Sequence, residues 1–181
     1  MHGTIFTELE KFVGARLGDG AWQTLRGKAG IAPDRAYEVF GSYPDEEVFA
    51  LVGAASETTG LPATALLEDF GEFIAPDLLE MYWGAIAPEW RTLDVIEHTE
   101  STIHTVVRVD HPGAAPPYLR VTRSGEREVT VLYTSPRRLC AIARGIARGI
   151  ARHYGESLEI TDRRCMHRGD SDCVIVMATK D

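Results

Sequence analysis

Tyr133-Thr134-Ser135-Pro136-Arg137 closes a predicted strand and places two hydroxyls and a guanidinium at i, i+2 and i+4. Alternate residues of a strand share one face, so the side chains of Tyr133, Ser135 and Arg137 can converge. All three donate hydrogen bonds suited to a carboxylate, and the planar fork of Arg137 fits one bidentately. The sequence also changes period around this stretch. Val129 to Tyr133 leads into it as a strand, joined through a Ser124-Gly125-Glu126 turn to a strand from Tyr118 to Val121. Leu139 to Tyr154 then reads as a helix, and Leu158 to Thr161 and Val174 to Met177 read as strands about Gly169-Asp170. The first two-thirds is helical instead. Ile5, Phe6, Leu9, Phe12 and Val13 recur at helical spacing, as do Val48, Leu51, Val52 and Ala55. Asp45, Glu46 and Glu47 lead the second of these segments, where a helix dipole favours negative charge. Leu61-Pro62-Ala63 opens a helix carrying Leu66, Leu67, Phe70 and Phe73, with Leu78, Leu79, Met81 and Tyr82 following Pro76. A further helix is expected from about Leu93 to Val109, stopped by His111-Pro112-Gly113. The fold class is α+β, with a helical front and a four-stranded antiparallel sheet with one long helix behind.

The 181 residues suit one domain, 1–181, large enough to enclose a ligand. With 27 acidic against 19 basic residues the formal charge is -8, which disfavours general nucleic-acid binding. No run of 18 apolar residues suggests a membrane span, and the N-terminus has no signal-like pattern, so a cytoplasmic protein is expected.

His104 lies 13 residues before Pro117, near the end of a predicted helix. A lone helical histidine is more often a surface or satisfied core residue than a ligand. Here the ring borders an apolar stripe marked by Ile103 and Val107. A buried imidazole without a metal or partner would be costly. His98, six residues earlier, points to a different face, so no second histidine stands in for it. An iron porphyrin needs what these two elements offer: one protein nitrogen for the metal and donors for two propionates.

Together these features resemble the H-NOX family, the haem nitric oxide/oxygen binding domains. That family includes the haem domain of soluble guanylate cyclase and many stand-alone bacterial sensors. The likeness covers the Met1-His2-Gly3-Thr4-Ile5-Phe6 start, Phe70-Gly71-Glu72-Phe73, the histidine-to-proline interval and the Tyr-x-Ser-x-Arg motif. It implies a fold enclosing haem b, with His104 as the proximal iron ligand and Tyr133, Ser135 and Arg137 on the propionates. Pro117 would press on and distort the porphyrin, and Ile5 would pack against it.

Oxygen-binding members carry a tyrosine five residues after the motif arginine, where this chain has Ile142. Ile142, Ile146 and Ile150 form an apolar stripe on that helix. Without a hydroxyl to stabilise bound oxygen, the resemblance implies a nitric oxide sensor that also binds carbon monoxide. Nitric oxide would weaken the iron–histidine bond, release the helix of His104 and let the porphyrin relax against Pro117. A partner preferring one state reads the ligand. No output domain or catalytic residue is evident, so a sensor without enzyme activity is expected. Family members commonly signal to a histidine kinase or a diguanylate cyclase.

Cys140, Cys165 and Cys173 are separated by 25 and 8 residues. An odd number of cysteines argues against a disulfide framework. A hairpin about Arg168-Gly169-Asp170-Ser171 would bring Cys165 and Cys173 together, and three thiolates with one more ligand suit tetrahedral zinc. Some bacterial H-NOX proteins carry zinc at this cysteine spacing, with a histidine three residues before the second cysteine. Here that position is Asp162, and His167 is also near, so Asp162 or His167 is the fourth ligand. Such zinc would staple helix to sheet, away from the haem. The competing possibility is three reduced, redox-sensitive thiols. Arg144, Arg148 and Arg152 could bind an acidic partner but read first as a solvated face opposite the isoleucines, and Gly145 and Gly149 permit close approach of a neighbouring element.

Two other readings compete. The Cys165-to-Cys173 pattern also resembles haem-free small-molecule-binding regulatory domains of the vinyl reductase type, which lack the histidine and the Tyr-x-Ser-x-Arg strand. A thiol enzyme using Cys165 and His167 lacks an orienting third group.

Overall fold

The computed structural model describes residues 1–111 and 113–180. They form two compact units, one of residues 1–70 and one from Gly71 onward, and the boundary falls inside a helix. The first unit holds α1 (Gly3–Leu17), α2 (Ala21–Lys28), α3 (Asp45–Thr59) and the first turns of α4 (Ala63–Met81). Phe6, Leu9, Phe12 and Val13 form the buried stripe of α1, as their spacing requires. Ile5 is only half-buried on the same helix. Phe12 meets Phe70 edge-on at 5.6 Å, and Arg16 grips Asp69 with bonds of 3.0 and 2.6 Å. The sequence gives little sign of α2. It has eight residues, too few for a periodic pattern, and it starts after Gly20 in a left-handed conformation at φ 78°. Burial of Trp22 and Leu25 sustains it.

The second unit continues α4 through Pro76 and adds a short 3₁₀ turn, Trp83–Ala85. It then has α5 (Thr92–His98), α6 (Ile103–Asp110), β1 (Tyr118–Arg123), β2 (Glu128–Thr134), α7 (Cys140–His153), β3 (Ser157–Arg164) and β4 (Cys173–Lys180). The sheet is antiparallel throughout, in the order β1-β2-β4-β3. Along β2 every second residue is buried, and Val129, Val131 and Tyr133 join Cys173, Ile175 and Met177 of β4 in one core. Leu93, Val95 and Ile96 of α5 and Ala147 and Ile150 of α7 complete that core. This is the expected α+β architecture. Among the described residues no helix is long and apolar enough to cross a membrane.

One expected helix is two. The run from Leu93 to Val109 breaks between His98 and Ile103. Thr99 and Thr102 donate their hydroxyls to the carbonyls of Val95 and His98, at 2.6 and 2.7 Å. These side chains compete with the helical ladder. The amide of His104 then reaches back five residues to the Thr99 carbonyl, at 2.9 Å, a π-type turn. Of the expected stop signal, Pro112 lies outside the described residues, and α6 ends at Asp110.

Candidate functional site

The hydrogen-bonded site builds outward from Glu100, a residue the sequence reading passed over. It lies in the turn between α5 and α6, four residues before His104. Its Oε2 meets His104 Nδ1 at 2.9 Å and accepts from the Leu119 amide of β1 at 3.1 Å. Its Oε1 accepts from Arg108 at 2.7 Å. His104 is 13% exposed, and burial lowers its pKa against the opposing pull of Glu100, so the ring is neutral. With Nδ1 held by a carboxylate, it acts as the donor, and Nε2 carries the free electron pair. Among the described residues, Nε2 has no hydrogen-bond partner. His98 stacks on Trp90 with ring centroids 4.5 Å apart, away from this assembly.

Strand register joins the histidine to the donor motif. Leu119, which caps Glu100, lies opposite Tyr133, and Tyr118 lies opposite Thr134. Pro117, half-buried, is one residue beyond that ladder. The strand does not carry the whole motif, as had been expected. It stops at Thr134, because Pro136 has no amide to give a ladder and the chain turns there. The inward alternation survives the end of the strand, since Tyr133 and Ser135 are both buried and Arg137 is half-buried. The Ser135 hydroxyl accepts from the Arg137 amide at 3.2 Å, and the Arg137 guanidinium donates to the Ala115 carbonyl at 2.5 Å. That last bond ties the motif to the loop leading into Pro117. Burial pushes the Tyr133 hydroxyl up to about 12, opposed by hydrogen bonds from Ser135 and the Leu139 backbone, so it stays a neutral donor.

On α7, Ile142 and Ile146 are half-buried and Ile150 is buried. A Cβ on Gly71 would lie 2.3 Å from the Ile142 carbonyl oxygen, and one on Gly149 would lie 2.4 Å from Ala75 Cβ. The close approach expected of the α7 glycines is therefore real, and α4 is the neighbour. The arginine stripe is not simply solvated. Arg144 is 11% exposed and binds Asp162 at 3.0 Å, and Arg152 pairs with Glu72.

Cys140, Cys165 and Cys173 are buried with free thiols, and Cys165 Sγ lies 3.9 Å from each of the other two sulfurs. Tetrahedral zinc with bonds of about 2.3 Å spaces its sulfurs by roughly 3.8 Å; two of the three sulfur pairs have that separation, and all three sulfurs lie within 4.8 Å of one another. Burial and the neighbouring thiols push Cys140 up to about 12, which keeps it protonated when no cation is near. Asp162 Oδ2 is held by Arg144, which also touches Cys140 Sγ at 3.7 Å, while Asp162 Oδ1 is buried without a partner. His167 is exposed and bonds the Arg138 carbonyl through Nε2 at 2.7 Å. The cluster is also nearer the donor motif than expected, because Cys173 lies directly opposite Tyr133 in the β2–β4 pair.

These residues fit an iron porphyrin: a neutral histidine with one nitrogen fixed and the other free, linked by a hydrogen-bonded strand to three carboxylate-suited donors. Ile5 lies in the first unit, on α1.

Comparison with known proteins agrees. The family model described as Haem-NO-binding matches residues 2–162. A crystal structure of an H-NOX protein from S. oneidensis in the Fe(II)NO ligation state superposes with a TM-score of 0.93 at 26% identity, covering 100% of both chains. The NMR structure of the Shewanella oneidensis H-NOX domain in the Fe(II)CO state gives 0.89 at 26%, covering 100% of this chain and 99% of that one. The unliganded Fe(II) H-NOX protein from K. algicida, at 22% identity and a TM-score of 0.90 over 100% and 97% of the two chains, shares the fold. A search of curated protein sequences gave no significant match. The family model favours the haem-binding resemblance over the vinyl reductase one. The chain belongs to the haem-NO-binding family, the haem-based gas sensors called H-NOX domains.

Proposed function

We propose that this chain is a nitric oxide sensor in which His104 Nε2 ligates the iron of haem b and Tyr133, Ser135 and Arg137 hold the propionates. The observation that carries the reading is the His104 imidazole, fixed through Nδ1 and free at Nε2, in one hydrogen-bonded assembly with the strand that ends in the donor motif. The haem would supply the iron that takes up nitric oxide or carbon monoxide. The chain's own residues position it. His104 offers the ligand nitrogen, the two hydroxyls and the guanidinium hold carboxylates, and Pro117 and Ile142 contribute apolar contact. Ile142 offers no proton to bound oxygen, which disfavours an oxygen complex. The whole chain, residues 1–181, acts as one sensing domain without turnover. The protein is cytoplasmic, and its signal passes to a separate protein such as a histidine kinase or a diguanylate cyclase.

The test is the visible spectrum. The haem-reconstituted protein is expected to show a Soret band that shifts with nitric oxide. His104→Gly is expected to lose haem or to hold it only with added imidazole. Normal haem content and an unchanged ferrous spectrum in His104→Gly would overturn the ligand assignment.

The spacing of the three sulfurs favours a second ion. We assign Cys140, Cys165 and Cys173 to one zinc. Asp162 is the preferred fourth ligand, since its Oδ1 is buried without a partner whereas His167 faces solvent and bonds a backbone carbonyl.

A further inference from the structure

We infer that Glu100 is the positioning residue for the haem ligand: it holds His104 by Nδ1, presents Nε2 to the iron, and ties that choice to α6 and β1. The inference rests on His104 being the ligand.

The geometry has three parts. First, Oε2 lies 2.9 Å from His104 Nδ1, so the ring donates there and cannot present Nδ1 to a metal. Second, the carboxylate is itself fixed, by Arg108 on Oε1 at 2.7 Å and by the Leu119 amide on Oε2 at 3.1 Å. Third, the carboxylate accepts from a guanidinium, a backbone amide and the ring together, a set of donors that suits a carboxylate anion as the partner of the ring. A ligating imidazole that donates its second N–H to a carboxylate is a stronger donor to the metal than one bonded to a neutral carbonyl. Glu100 therefore does more than brace a helix. It sets how much electron density His104 can give to iron.

The same bonds give that ligand a mechanical connection. Oε2 is shared between His104 and the amide of Leu119, and Leu119 lies opposite Tyr133. A displacement of the His104 ring redistributes the bonds of Glu100 and loads the β1 end of the motif-bearing hairpin. Arg108, one turn further along α6, is drawn in through Oε1. One carboxylate thus joins the ligand, its helix and the sheet.

The experiment reads the iron–histidine stretch of the ferrous, gas-free holoprotein by resonance Raman. Glu100→Gln keeps an acceptor for Leu119 and for His104 but removes the charge, and Glu100→Ala removes both. The stretch is expected to move to lower frequency in Glu100→Gln and further in Glu100→Ala. Haem dissociation from Glu100→Ala is expected to be on the order of tenfold faster. Glu97→Gln, whose carboxylate pairs with Arg123 away from the ring, leaves the stretch in place. A second arm uses His104→Gly filled with imidazole or with 1-methylimidazole, which has no N–H to give. Glu100→Gln should shift the stretch with imidazole and not with 1-methylimidazole. If Glu100→Ala fails to fold, Glu100→Gln and this arm decide. An unmoved stretch in folded Glu100→Gln and in the imidazole arm overturns the positioning role and leaves His104 as ligand. Retention of normal haem by His104→Gly instead overturns the assignment on which the role rests.

Discussion

Replacing Gly71 by alanine should destabilise this protein, although alanine is the better helix former. The added Cβ would stand 2.3 Å from the Ile142 carbonyl oxygen, 3.0 Å from the Ile146 nitrogen and 3.1 Å from Gly145 Cα, all backbone atoms of α7. A carbon sits at about 3.3 Å or more from a carbonyl oxygen, so the two helices must part by roughly 1 Å. No rotamer relieves this, because every obstructing atom is main chain. Overpacking costs about 1–3 kcal/mol, and a clash this deep with main-chain atoms falls in the upper part of that range, about 2–3 kcal/mol. Exchanging glycine for alanine inside a helix returns about 1 kcal/mol. The expected net loss is about 1–2 kcal/mol, or a fall in Tm of about 2–8 °C for a chain of this size. Gly53 is the internal standard. It lies on α3, exposed, with nothing within 4 Å of its Cβ position. Gly53→Ala should gain about 0.5–1 kcal/mol by the same propensity term with no opposing clash. Differential scanning calorimetry of the two variants and the parent measures both changes. If Gly71→Ala is as stable as the parent while Gly53→Ala gains as expected, the close approach of α4 to α7 is not what holds these helices.

Arg137→Ala should release haem faster than Ser135→Ala, because it loses a charge-assisted contact and the bond to the Ala115 carbonyl; equal loss rates, followed by transfer to apomyoglobin, would contradict the assigned roles. Ferrous protein should bind nitric oxide and carbon monoxide but form no lasting oxygen complex in air, as Ile142 has no proton to donate; a persistent oxygenated spectrum would show another donor at that face. Elemental analysis of protein purified without chelator should find about one zinc per chain. Cys173→Ala should abolish it, and Asp162→Ala should reduce it more than His167→Ala, so full zinc in Cys173→Ala refutes the three-thiolate site.

Much of the fold was legible because its signals are local. The period-two run through Val129, Val131 and Tyr133 is the buried face of β2, and the apolar stripe of α1 is buried as spaced. The failures have equally local causes. The helix break before His104 depends on Thr99 and Thr102 turning their hydroxyls onto the backbone, a choice that hydrophobic spacing does not register. The donor motif resembles a strand by residue type, and Pro136 ends it early. Glu100 was overlooked although it stands at i−4 from His104, the helical spacing at which a carboxylate meets an imidazole. Its second role, accepting from the Leu119 amide, is a contact across 19 positions of sequence that only the tertiary structure reveals.

The placement of Cys173 directly across from Tyr133 bears on how variants of this protein combine. Opposed residues on neighbouring antiparallel strands point to one face with Cβ atoms about 4.5–5.5 Å apart, and both are almost fully buried here. The thiol cluster and the donor motif are therefore not energetically independent. Substitutions at the two sites should show interaction energies of about 0.5–3 kcal/mol rather than simple sums. A cysteine variant that loses haem is consequently ambiguous on its own, and a double-mutant cycle over Cys173 and Tyr133 separates loss of the proposed metal ligand from loosening of the proposed propionate anchor.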